Sequence, residues 1–255
     1  MKLQVLVASM NQIDYSLIEK MNLQSDAIII NQCNDNKFEE IKCEDKDIKF
    51  ISLNERGVGL SRNNALMRAT ADICIFADED LTYVDGYKEI IANAFMNNPE
   101  ADMILFNVPS KNSKRPTHII TKNKRVRWFN CLKYGVVKMA IRTESIRNAN
   151  VYFSLNFGGG AKYGSGEDSL FIAQCIKSGL KVYTNTNIIG YVSQEESSWF
   201  EGYTDKYFMD KGALYNNLSR RWNRLLCLQF CIRHRNMFKN QKSWFDAYKL
   251  MIKSI

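Results

Sequence analysis

The feature that most limits the fold is an alternation of two periods along the first 108 residues. Apolar runs at 3–8 (LQVLVA), 26–31 (DAIIIN), 48–53 (IKFISL), 73–77 (ICIFA) and 102–108 (DMILFNV) read as buried strands. Between them, residues 11–22, 61–70 and 87–97 carry apolar side chains at helical spacing. Ser61 is the expected N-cap of the second helix, and Asn98-Pro99 closes the third. Strands alternating with helices predict a largely parallel sheet covered on both faces. Ligands of such sheets bind beyond the carboxyl ends of the strands. Three polar clusters fall at such ends: Ser9-Met10-Asn11, Asn31-Gln32 and Asp78-Glu79-Asp80.

Beyond residue 109 the pattern loosens. Residues 111–127 hold seven Lys and Arg and no acid, and read as a loop or hairpin. Residues 136–142 are strand-like. The stretch 157–166 is rich in glycine, which suits either a moving lid or an ordinary connection. Glu167-Asp168 then opens an amphipathic helix over 169–178, ended by Gly179. Residues 181–184 and 187–192 are again strand-like, and from Trp199 on the chain reads as helical. A second acid-free basic block spans 220–242. Arg220, Arg221, Arg224, Arg233 and Arg235 alternate there with Trp222, Leu225, Leu226, Leu228, Phe230 and Ile232. That pattern over 218–238 suits a basic helix lying on an anionic membrane face, or a packing helix with a solvated basic side.

Composition removes several classes. The chain has 255 residues and a net charge of +8, which favours anionic partners. Seven cysteines form no C-x-x-C pair, Cys227 and Cys231 stand one helical turn apart, and there are only two histidines. A zinc cage or a disulfide framework is therefore not expected. No signal-peptide pattern opens the sequence, and no apolar run reaches the ~18 residues of a membrane span. His118 and His234 have no visible partner in the sequence.

The chemistry concentrates in a few residues. Asp78 and Asp80 lie two apart at the end of an apolar run, so they share one face of the strand. Neighbouring carboxylates repel unless a cation sits between them, and Mg²⁺ commonly binds through one or two carboxylates plus substrate phosphates. Mn²⁺ or Mg²⁺ is the expected cofactor; the bland alternative is a solvated acidic turn. Residues 54–65 read NERGVGLSRNNA. Gly57 and Gly59 permit a tight turn into a helix whose free N–H groups suit an anion, with Arg62 available for a phosphate or a nucleobase. The phrase is neither a dinucleotide fingerprint nor a P-loop. Glu167 and Asp168 either hold catalytic acids or simply complement a helix dipole.

The stretch 57–80, GVGLSRNNALMRATADICIFADED, closely resembles the central block of family 2 glycosyltransferases. The opening Ala8-Ser9-Met10-Asn11 is similar to that family's first strand end, and Gly166-Glu167-Asp168 to its later G-E-D phrase. The resemblance implies an α/β, GT-A-type Rossmann-like sheet with helices on both faces. To this it adds an acceptor-side half and a helical C-terminal segment. Residues 1–109 would form the nucleotide-sugar-binding half of one domain, 110–198 the acceptor and catalytic-base half, and 199–255 a basic helical extension. It further implies that Ala8, Ser9 and Asn11 line the nucleoside pocket with Glu79 beside them, and that Arg62 helps to hold the nucleotide. Asp78 would contact the nucleoside and share a metal with Asp80. Asp168 would be the general base, with Glu167 alongside, in an inverting transfer. The family usually has acids at its second strand end, whereas this chain has Gln32, which can donate and accept. Uridine remains the default base.

These implications describe transfer of a hexosyl or N-acetylhexosaminyl group from a UDP-linked donor. The acceptor would be a glycan or lipid-linked glycan, in bacterial surface-polysaccharide assembly. The expected location is cytoplasmic, with peripheral contact at the inner face of an anionic membrane left open, and no nucleic-acid partner. A dinucleotide oxidoreductase is the first competitor, weakened by the missing third glycine. A non-enzymatic binder of nucleic acid or anionic lipid is the second; it leaves both acidic motifs unexplained.

Overall fold

The computed structural model describes residues 1–43, 45–194 and 202–255. Its elements run β1 (Leu3–Met10), α1 (Leu17–Lys20), β2 (Asp26–Gln32), β3 (Lys37–Cys43), β4 (Lys46–Leu53), α2 (Val58–Arg68), β5 (Ile73–Asp78), β6 (Leu81–Tyr83), α3 (Tyr87–Asn97) and β7 (Met103–Asn107). Then follow β8 (Met139–Arg142), α4 (Thr143–Asn148), α5 (Glu167–Lys177), β9 (Val182–Ile188), β10 (Gly190–Val192), α6 (Asp205–Leu218), α7 (Asn223–Arg233), α8 (Arg235–Phe238) and α9 (Trp244–Lys253). Eight strands form one sheet in the order β3-β4-β2-β1-β5-β8-β7-β9, and β6 pairs with β10 in a small second sheet.

The expected parallel sheet is its central part. β4, β2, β1 and β5 are mutually parallel, and Ala8 lies level with Ile30 on one side and Asp78 on the other. Alternation along each strand divides the core into two layers. Leu6, Ile28, Ile30, Cys74 and Phe76 face one layer with α2 and α5. Val5, Val7, Ala27, Ile29, Ile73 and Ile75 face the other with α3. Because both faces are covered, the strand sequences are apolar throughout rather than alternating. The sheet also crosses residue 109: β8, from the second half, inserts antiparallel between β5 and β7.

Several local expectations change. β3 went unread because KFEEIKC is an edge strand whose residues are exposed or half-buried, so no apolar run marks it. The helix expected over 11–22 shrinks to Leu17–Lys20. Ser61 is not an N-cap: α2 is capped by Gly57 and begins at Val58, so Ser61 sits inside the helix. The turn made possible by Gly57 starts the helix three residues earlier. Residues 136–138 form a 3₁₀ turn before β8 rather than more strand. The basic segment 218–238 is not one helix; α6 stops at Leu218 and α7 starts at Asn223. The helical reading from Trp199 begins outside the described residues, and the first described helix there is α6. The C-terminal helices build a third core of Phe208, Cys227, Cys231, Phe238, Ala247 and Met251. No helix of the described residues is long and apolar enough to cross a membrane.

Candidate active site

A cleft of about 900 Å³ opens beyond the carboxyl ends of β1, β2 and β5. Ala8, Ser9, Met10 and Gln32 form one wall, and Asp78, Glu79 and Asp80 another. Glu167 and Asp168, at the N-terminus of α5, close it from the opposite side together with Gly164, Ser165 and Gly166. The acidic motifs, 87 residues apart from Asp80 to Glu167 in sequence, thus face one cavity.

Arg62 ties the two sides together. Its Nη2 donates to Asp78 Oδ1 and its Nη1 to Glu167 Oε1, each at 2.8 Å. The guanidinium is buried, with its carbon 5.6 Å from the centre of the Phe153 ring. Phe153 stacks on Phe171 at 4.1 Å, and Phe76 meets both edge-on. Burial on this aromatic floor works against the charge, but Asp78 and then Glu167 more than offset it, so the Arg62 pKa is raised. Nε of Arg62 is buried without a partner.

The carboxylates differ. Asp168 is pushed up to about 6, first by burial and then by the Glu167 charge beside it. Its Oδ1 accepts a hydrogen bond from the backbone N–H of Ser169. Asp80 is raised by burial and by Asp78, with a backbone N–H of Gln194 partly opposing. Glu79 is occupied: it accepts from Met10 N–H and from Gln12 Nε2, strapping β5 to the end of β1. Among the described residues, no group of three or more His, Cys, Asp and Glu is disposed to hold a metal ion. Asp80 and Asp78 are nonetheless two carboxylates on one strand end, with one Asp78 oxygen committed to Arg62. That set fits a divalent cation that arrives with phosphate oxygens, and does not fit one held by protein alone.

Gln32 is oriented by its neighbour. Gly57 N–H donates to Gln32 Oε1 at 2.8 Å, which leaves the amide NH₂ as the group available to a ligand. Ser9 is buried, with Oγ donating to Ile30 O. Asn11 is not among the residues lining the cleft; it is exposed, in the left-handed region with φ 51°, and its backbone N–H bonds Gln32 O.

The glycine-rich stretch is docked rather than open. Val58 N–H donates to Gly159 O, and Gly164 N–H to Asp210 Oδ2 on α6. Gly158 has φ 101°, and a Cβ there would lie 2.6 Å from Val58 and 2.8 Å from Glu167. Gly59 is similarly required by contact: a Cβ would sit 2.6 Å from Ser154 O. The glycines serve close approach between α2, this loop and α5.

Four further residues escaped the sequence. Arg115 and Thr117 reach the cleft from the basic loop, and Gln194 lines it with its Oε1 buried and unpartnered. Lys211 on α6 lies within the fields of Asp168, Glu167 and Asp210, which resist the lowering of its pKa by burial. Only Arg115 carried a signal, as part of the acid-free basic run.

The sequence pattern described as Glycosyl transferase family 2 matches residues 15–154. No curated protein matches the sequence. Among solved structures, S. aureus TarS 1–349 in complex with UDP-GlcNAc is similar, with a TM-score of 0.69 and 16% identity over all of this chain and 82% of that one. The same fragment in complex with UDP gives 0.63 and 16% over all of this chain and 81% of that one. A longer TarS chain gives 0.64 at 16% identity, with 49% of its length covered by all of this chain. At that identity the likeness is one of fold.

Proposed function

The chain belongs to glycosyl transferase family 2, and from that premise we propose that it moves a hexosyl or N-acetylhexosaminyl group from UDP to a glycan or lipid-linked glycan acceptor, with inversion. The single observation that carries the reading is the Arg62 bridge between Asp78 and Glu167, which couples a donor wall to a second wall holding a half-buried carboxylate of raised pKa. The TarS fragment of matching fold binds UDP-GlcNAc. The free NH₂ of Gln32 suits a carbonyl of uracil and does not suit the amino group of cytosine.

In this reading Ala8, Ser9 and Gln32 hold the nucleoside, and Arg62 keeps Asp78 in place. Mn²⁺ or Mg²⁺ held by Asp80 and the free oxygen of Asp78 would supply neutralisation of the diphosphate leaving group. Asp168 takes the proton from the acceptor hydroxyl as that oxygen bonds to the anomeric carbon. The bond to the nucleoside diphosphate breaks on the opposite face, which inverts the centre. A carboxylate titrating near 6 is a stronger base than an ordinary aspartate and remains ionised at neutral pH. Peripheral membrane contact on a cytoplasmic face, in bacterial polysaccharide assembly, fits exposed Trp222, Leu225 and Ile232 among the arginines of 220–235.

Calorimetry with UDP, GDP and NAD, each with Mn²⁺ and with EDTA, tests the reading. UDP binding that needs the metal and is lost in Asp80→Ala is the expected outcome. NAD binding without metal, or no nucleotide binding, would contradict it.

A further inference from the structure

The two acid-free basic blocks of the sequence meet in space. Lys133 feels Lys124 from the first block and Arg233 from the second, both adding to the effect of burial in lowering its pKa. His118 is likewise lowered by burial and then by Lys133, Lys138 and Lys124. The two residues share one support: the His118 ring meets Tyr134 edge-on at 5.6 Å, and Lys133 Nζ stands 5.4 Å over the same ring. Among the described residues, none of His118, Lys124, Lys133, Lys138 and Arg233 is in a salt bridge.

Lys138 is the sharpest member. It is 2% exposed, and its Nζ has no hydrogen-bond partner. Burial pushes its pKa down to about 8. An ammonium group withdrawn from water without a counterion costs several kcal/mol, and folded chains rarely keep one unless something pairs with it. Like charge presses instead on its neighbours, Lys138 on His118 and Lys124 with Arg233 on Lys133. A bound oxyanion relieves both the missing counterion and the crowding of like charge.

The cluster adjoins the cleft. Arg115 and Thr117 line it, and His118 follows directly. Tyr134 precedes Gly135, where a Cβ would lie 3.8 Å from Asp168 Oδ2. The cations therefore stand beside the wall that carries the base, apart from Asp78 and Asp80.

We propose that His118, Lys124, Lys133, Lys138 and Arg233 form an anion subsite that holds a phosphate group of the acceptor. The assignment to the acceptor rests on the glycosyltransferase reading; the anion subsite does not. The phosphate comes either from a lipid carrier or from a phosphodiester within a polymer.

The test titrates the full chain, saturated with UDP and Mn²⁺ so that the donor side is filled, with methyl phosphate and with dimethyl phosphate. The expected result is binding that weakens as salt rises and falls at least about tenfold in Lys138→Met and measurably in Lys133→Ala. Lys133 is exposed, so its variant folds normally even if Lys138→Met does not. Preference for the monoester points to a carrier-end phosphate, and equal binding of the diester to a polymer; either supports the subsite. Phosphate binding that is absent, or unchanged in both variants, overturns it. If UDP fails to bind while Lys138-dependent phosphate binding persists, the donor reading falls and the subsite stands.

Discussion

The two walls of the cleft are built differently. The wall proposed to hold the donor rests on the ends of three adjacent parallel strands, where the register fixes Ala8, Ile30 and Asp78 side by side. The facing wall has no such lattice. It is made from residues 115–117 of the basic loop, a glycine-rich loop and the first turn of α5, and it takes its shape from contacts with α2 and α6. The difference teaches where stability and adjustability reside. A strand end is held by ladder bonds on both sides, whereas the loop is held by a few named contacts whose loss is local. A sheet can therefore keep one wall of the cleft constant while the opposite wall varies.

The largest effect is expected at the bond between the walls. Arg62→Met removes the partner of Asp78 and Glu167 and leaves two carboxylates uncompensated. Breaking a fully buried pair costs about 3–5 kcal/mol; the Asp78 side chain is 36% exposed, so denaturant unfolding should show a loss below that range together with loss of UDP binding. An unchanged midpoint would mean that the walls are joined in another way.

The next effect separates the carboxylates of the two walls by pH. As the proposed base, Asp168 has to be ionised, and its pKa is raised to about 6, so the rate should fall as pH drops through about 6 rather than near the ordinary aspartate value. Glu167→Gln removes the neighbouring negative charge that helps to raise Asp168, and should move this limb to lower pH. A limb that stays in place would assign it to another group.

The smallest effect concerns the loop. Asp210 Oδ2 accepts from Gly164 N–H at 3.0 Å and from Lys206 Nζ at 2.6 Å. Asp210→Ala should cost about 1–3 kcal/mol of stability and raise the acceptor KM several-fold while UDP affinity stays constant. An equal loss of UDP affinity would show that the walls do not act separately.

The same division explains what could be read from the sequence. The central strands were legible because burial on both faces makes them continuous apolar runs, and the polar residues that end them were legible for the same reason. β3 was hidden by its exposed, charged alternation at the sheet edge. The start of α2 was misplaced because Ser61 is a common capping type, while Gly57 performs the cap. The Arg62–Glu167 contact spans 105 residues, Gln194 enters the cleft through tertiary packing, and Lys211 comes within the fields of Asp168 and Glu167 in the same way. No local pattern encodes such contacts. Asn11, expected at the nucleoside, lies off the lining because the chain turns through a left-handed conformation there.

The most direct test is release of UDP, with water taking the place of the acceptor hydroxyl, from a panel of UDP-hexoses and UDP-N-acetylhexosamines, comparing the unaltered chain with Asp168→Asn under saturating donor and Mn²⁺. Turnover is expected with at least one donor, with a fall of about 10²–10⁴-fold in Asp168→Asn and unchanged UDP affinity. Turnover that survives intact in Asp168→Asn, or no release from any donor by a chain that binds UDP, would contradict it.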